Sequence, residues 1–174
     1  TIPFVSLTKP NSTFQNINLP FSGTIQTVSI NDYRAAIIGG SLETSQFAAK
    51  IDKEGNVYTI YGLSAGAITS SSINLNKTAL LGGVDTSVGT DQSLFLIDPN
   101  GNAIPFSNLY GEGEIETVSI NNQQFGIVGG YSIDPGMLRL PFLAKTKAFT
   151  LESEFLNPLI STEPYAGMIY PVPS

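Results

Sequence analysis

Three stretches of this sequence close in the same way. TVSINDYRAAIIGG (Thr27–Gly40), SSSINLNKTALLGG (Ser70–Gly83) and TVSINNQQFGIVGG (Thr117–Gly130) each pass from small polar residues through Ser-Ile-Asn to a short apolar run and a glycine pair. The glycine pairs, the Ser-Ile-Asn triplets and Ile25, Ile68 and Ile115 all keep the same two spacings, 43 and 47 residues. Landmarks that move together mark a building unit, and a fixed period restricts the chain to architectures assembled from one repeated supersecondary element. The second half of the unit recurs more loosely as FAAKIDKEGNVYTIYG from Phe47, LFLIDPNGNAIPFSNLYG from Leu94 and FLAKTKAFTLESEF from Phe142. The same half stands before the first unit as FVSLTKPNSTFQNINLPFSG, Phe4–Gly23. Residues 1–174 therefore read as a single all-β repeat domain or part of a larger one: a partial repeat at 4–23, repeats at 25–66, 68–113 and 115–155, and a proline-rich tail at 156–174 without the motif.

Each unit reads as four short strands. Ile25–Ile30 alternates, which predicts Gln26, Val28 and Ile30 on one side and Ile25, Thr27 and Ser29 on the other. The following Asn-led segments suit hairpin turns. The runs AAII, TALL and FGIV are apolar without alternation and too short for helices, as expected of strands covered on both faces. Ala35–Ile38, Ala79–Leu81 and Ile127–Val128 are thus predicted to be among the most buried segments. The glycine pair is expected to end that strand, where backbone bends or approaches backbone closely. IDKEGN and IDPNGN predict tight turns, with Gly55 and Gly101 at positive φ. Sustained 3.6-residue periodicity is missing, so helix content should be close to nil.

Four antiparallel strands in roughly 45 residues match one blade of a β-propeller. Over Phe4–Phe155 the chain resembles a β-propeller tandem repeat in period and strand pattern, without the Trp-Asp and Gly-His signatures of WD40 units. The fold expected from this resemblance is all-β, half a blade followed by three blades. A parallel β-solenoid with two coils per unit is the alternative. In a blade the first strand borders a crowded channel, which favours the small Thr27, Ser29, Ser70, Ser72, Thr117 and Ser119. Open blade faces would leave apolar surface and strand edges in water, so a homodimer or completion by another chain is expected. The tail offers Ala166–Tyr170 as a possible closing strand.

Composition narrows the chemistry. Cysteine and histidine are both absent, which removes thiolate chemistry, disulfides and the commonest general base and metal ligand. A net charge of −6 disfavours nucleic acid as a partner. No apolar run is long enough for a membrane helix. Charged residues make up only 13%, and the uncharged polar surface this implies suggests a secreted or cell-surface protein.

No cofactor is implied. Asp85 and Asp91 flank TSVGT and are weak candidates for calcium; their spacing does not fit an EF-hand loop, and a solvated connection between strands is the better reading. Glu112, Glu114 and Glu116 would share one strand face by alternation. They could serve glycoside hydrolysis, or form a charged edge that discourages aggregation. Asn31, Asn74 and Asn121, with Ser29, Ser72 and Ser119, occupy one motif position in every unit. They could present a ring of polar groups to a ligand, although turn geometry by itself accounts for the asparagines, since Asn suits the first position of a turn. The function this supports is a non-catalytic binding or scaffold module with a protein or glycan ligand. The alternative is a carboxylate-dependent propeller enzyme, glycosidase or lyase, using Glu112, Glu114, Asp85 or Asp91.

Overall fold

The computed structural model describes residues 3–8, 14–19, 22–87, 89–106, 109, 111–147 and 150–151. Among these there is no helix, and every regular element is a strand. The tail at 156–174, including Ala166–Tyr170, lies outside the described residues.

Strands β1 (Phe4–Thr8) and β2 (Phe14–Asn18) form an antiparallel pair. Three four-stranded antiparallel sheets follow, each in simple sequential order. The first blade is β3 (Thr24–Ile30), β4 (Ala36–Leu42), β5 (Ser45–Ile51) and β6 (Val57–Ile60). The second is β7 (Gly66–Ile73), β8 (Ala79–Asp85), β9 (Asp91–Ile97) and β10 (Ala103–Pro105). The third is β11 (Gly113–Ile120), β12 (Phe125–Ile133), β13 (Arg139–Lys147) and β14 (Thr150–Leu151). Val5 faces Ile17 across β1 and β2 as Ala48 faces Ile60 across β5 and β6, so the leading pair corresponds to the outer two strands of a blade. The architecture is the expected half blade plus three blades, stacked face to face.

Stacking explains the burial of the apolar runs. Successive residues of a strand point to opposite faces, so Ile37 packs toward the second blade with Ile68, Leu81 and Phe95, while Ala36 and Ile38 pack toward Ile17 and Leu19 of the half blade. One register later, Leu80 joins Ile115, Val118 and Val128 between the second and third blades. Each such fully buried aliphatic side chain contributes about 2 kcal/mol of transfer free energy.

The glycine pair departs from expectation, because it lies inside the second strand of each blade and does not end it. The two glycines answer different demands. A Cβ on Gly39 would come within 2.5 Å of Ile68 in the next blade, and one on Gly82 would strike Ile115, so the first glycine admits the neighbouring sheet. A Cβ on Gly40, Gly83 or Gly130 would strike the backbone carbonyl of Thr24, Ala67 or Glu114 in the strand alongside. That carbonyl protrudes at a bulge, since the ladder skips a residue between Ile25 and Thr27, Ile68 and Ser70, and Ile115 and Thr117.

The bulge also corrects the strand alternation. An extra residue at Gln26 brings Ile25 to the half-blade side, where it packs on the Ile38 cluster, and leaves Thr27 and Ser29 on the opposite side facing the second blade. Glu116 is the equivalent extra residue in the third blade, so Glu112, Glu114 and Glu116 do not follow the simple alternation expected of them. The turns behave as read. Gly55 and Gly101 have φ of 95°, and in the Asn-led turns Arg34, Lys77 and Gln124 take φ of 61°, 62° and 65°. Ile127 breaks the burial expectation: it is 53% exposed, although Val128 beside it is buried.

Candidate functional site

The recurrent serines and asparagines are brought together, and their hydrogen bonds run from one blade to the next. Ser29 Oγ accepts from the Ile73 backbone N–H at 3.2 Å, and Ser72 Oγ accepts from the Ile120 N–H at 3.1 Å. Asn31 Nδ2 donates to the Asn74 carbonyl at 2.8 Å, and Asn74 Nδ2 donates to the Asn121 carbonyl at 2.9 Å. Each amide oxygen meanwhile closes its own turn, accepting from Ala35, Thr78 and Phe125 N–H groups in the three blades. A second row lies along the third strands. Gln46 Nε2 donates to the Val84 carbonyl and to Ser93 Oγ, and Gln92 Nε2 donates to the Tyr131 carbonyl. Inner-strand N–H groups that would otherwise be buried without acceptors are satisfied in this way. Small residues in the first strand therefore leave their hydroxyl groups within reach of the next blade's backbone. Ser119 and Asn121 in the last blade occupy the same positions but, among the described residues, Asn121 Nδ2 donates to no acceptor and Ser119 Oγ makes no hydrogen bond.

The carboxylates are dispersed. Asp85 and Asp91 stand opposite each other in the backbone ladder of β8 and β9, and the backbone of Asp91 pairs with that of Glu112. Asp85 Oδ1 accepts from the backbone N–H and hydroxyl of Ser87 at 2.8 and 2.6 Å. Partial burial pushes its carboxyl up, but these hydrogen bonds prevail and hold it below the usual carboxylate range. A general acid requires the opposite shift. Among the described residues no three acidic side chains are grouped closely enough to hold a metal ion. Asp52 and Asp98 close their turns through bidentate contacts with Asn56 and Asn102, which accounts for the shared pattern of IDKEGN and IDPNGN.

A cleft of about 610 Å³ opens between the turns of the first two blades. Tyr33 and Tyr58 stand at its edges with 64% and 56% exposure. Lys50 lines it and reaches across to the second blade, donating to the Lys77 carbonyl at 2.9 Å and to the Asp98 carbonyl. Burial lowers the Lys50 ammonium pKa to about 8, with the Asp98 carboxylate opposing the shift and Lys77 reinforcing it. Sequence reading missed this site because Lys50 and Tyr58 lie in the looser half of the repeat, where the equivalents of Lys50 are Leu96 and Lys145. Nothing in one strand tells which of these faces a cleft.

The sequence matches no known family model and no curated protein.

Proposed function

We propose that this chain is a non-catalytic binding module of β-propeller type, taking a glycan or protein ligand in the cleft between its first two blades. The observation that carries the reading is the pair of exposed rings, Tyr33 and Tyr58, at the edges of a cleft that also holds Lys50. Aromatic rings beside a few fixed polar groups are the usual means of orienting a ligand. The recurrent Ser29, Ser72, Asn31 and Asn74 hold blades together, which leaves them less to offer a ligand directly. The carboxylate-enzyme alternative draws no support from Asp85, whose shift is the wrong way for an acid. Completion by a second copy or another chain is supported by Val28 and Ile30, 62% and 58% exposed on the side where a preceding inner pair of strands belongs. Among the described residues no helix is long and apolar enough to cross a membrane. Secretion or surface display rests on composition alone.

A thermal-shift screen of neutral and acidic oligosaccharides and of peptides tests the reading. A ligand should raise the melting temperature, and Tyr33→Ala or Tyr58→Ala should weaken it at least tenfold, as expected for aromatic anchors. Unchanged affinity in both variants would overturn the cleft, and turnover of a bound glycan would restore the enzyme reading.

A further inference from the structure

The seam between the first and second blades and the seam between the second and third share one scaffold and differ in what lines it. Asn31, Asn74 and Asn121 close equivalent turns, and Asp52 and Asp98 close the next pair. Against that constant frame four positions change. Tyr33, two residues beyond the turn asparagine, has Asn76 as its equivalent; Lys50 and its ladder partner Tyr58 have Leu96 and Ile104; and Lys77, at positive φ, has Gln124. The second seam is filled with hydrocarbon, since Leu96 is buried there and Ile104 packs against its cluster. The first sets two rings and two ammonium groups around an open cleft. Neither the turns nor the stacking of the sheets requires these four residues, because the second seam is built without them.

The two ammonium groups have no carboxylate partner. Among the described residues the one ion pair is Lys53–Glu54, on the surface. The Asp52 carboxylate accepts from the Glu54 and Asn56 backbone N–H groups, the Asn56 amide and the Tyr58 hydroxyl, and the Asp98 carboxylate accepts from the Asn102 N–H and amide. Lys50 is held by the backbone carbonyls of Lys77 and Asp98, which are neutral. Burial lowers its pKa to about 8; the Asp98 carboxylate opposes that shift, and the Lys77 charge adds to it. A cation partly out of water and beside a second cation is stabilised by an incoming anion. The bond to Asp52 also fixes the Tyr58 ring, which is 56% exposed.

We infer that the first seam is a subsite for an acidic sugar, a uronic acid unit of an oligosaccharide, whose carboxylate lies between Lys50 and Lys77 and whose pyranose ring meets Tyr33 and Tyr58. The inference rests on the cleft being the binding site. A sugar acid uses both halves of the seam, since its ring C–H groups pack on aromatic faces and its carboxylate is attached directly to that ring. An aspartate or glutamate side chain could engage the lysines but has no ring face to lay on the tyrosines.

Oligogalacturonate, oligomannuronate and hyaluronan oligosaccharides, each compared with its own methyl ester, test the charge while keeping the sugar ring. In the full chain at low salt, at least one acid should bind about tenfold more tightly than its ester in titration calorimetry, and the margin should shrink as salt rises. Lys50→Leu combined with Lys77→Gln copies the second seam and should bring acid and ester to equal affinity, whereas Tyr58→Ala should weaken both. If the parent chain prefers no acid over its ester, the carboxylate subsite is overturned; an ester or peptide that still binds, and is lost on Tyr33→Ala or Tyr58→Ala, then leaves the cleft itself standing. An acid preference untouched by the two lysine replacements would place the anion elsewhere and overturn the proposal as well.

Discussion

Repeat-equivalent residues meet opposite fates in the middle of the stack and at its end. Ile37 and Leu80 are 0% exposed, and Ile127 at the same position is 53% exposed; Ile73 and Ile120 are 7% and 8% exposed, and Ile30 is 58% exposed. The sequence pattern and the backbone are the same in each set. Burial here is a property of the neighbouring sheet, and a repeat unit is half of an interface on each side. The glycine pair separates the two kinds of constraint, because its second member answers to its own sheet and its first to the next one.

The largest effects should therefore not distinguish the middle from the end. Gly40→Ala, Gly83→Ala and Gly130→Ala each drive a methyl group into a bulge carbonyl, and should each cost about 3 kcal/mol in denaturant unfolding. A tolerant Gly130 would show that the bulge is not fixed by the sheet. The first glycines do distinguish them. Gly39→Ala and Gly82→Ala meet side chains of the next blade, which can shift, and should cost about 2 kcal/mol. Gly129→Ala meets only the Thr117 side chain and atoms of its own sheet, and should cost less than the other two; a loss equal to theirs would show that a further sheet covers the last face.

A smaller contrast lies in the asparagine row. Asn31→Ala and Asn74→Ala remove an inter-blade donor together with a turn acceptor, and should each cost about 2 kcal/mol. Asn121→Ala loses its turn bond to Phe125 in any case, worth about 1 kcal/mol. Any excess over that measures what its amide has found on the outer face. Equal and negligible losses at all three positions would dismiss the row as a source of cohesion.

The sequence disclosed the units and their strands because spacing and alternation are local properties. It led to a wrong expectation wherever one extra residue changed the phase. The bulges at Gln26, Thr69 and Glu116 carry no residue type in common, so the alternation around Ile25 and the shared face of Glu112, Glu114 and Glu116 were both misread. The glycine pair reads from sequence as a close approach at a strand end and lies instead inside the strand, since in sequence a bulge partner and a terminator look alike. Ile127 was expected to be buried because its neighbours in the pattern are, and no single strand states what lies against it. The cleft at Tyr33, Tyr58 and Lys50 was invisible for the same reason: its parts come from four turns of two different blades.

The smallest expected effect also compares equivalent positions. Lys50, Leu96 and Lys145 all follow the same register partner, Ile37, Leu80 or Ile127. Lys145 at the end of the stack lies over the Phe125 ring, 4.8 Å from its centre, and Lys50 in the middle is held against the second blade. Burial lowers the Lys50 pKa from 10.5 to about 8, so between those values the unfolded chain binds the proton more tightly than the folded one. Stability then rises with pH across that window, because the cost of keeping the ammonium partly buried is fully present below about pH 8 and fades as both states lose the proton. Lys50→Leu, which copies the second blade, should flatten that rise relative to the parent chain. Denaturant midpoints of the two proteins from pH 7 to 11 measure the difference, in which the other titrating groups cancel. Parallel curves would mean that Lys50 keeps its charge in the fold as it does in water, and that the middle of the stack is more open at this edge than its exposure indicates.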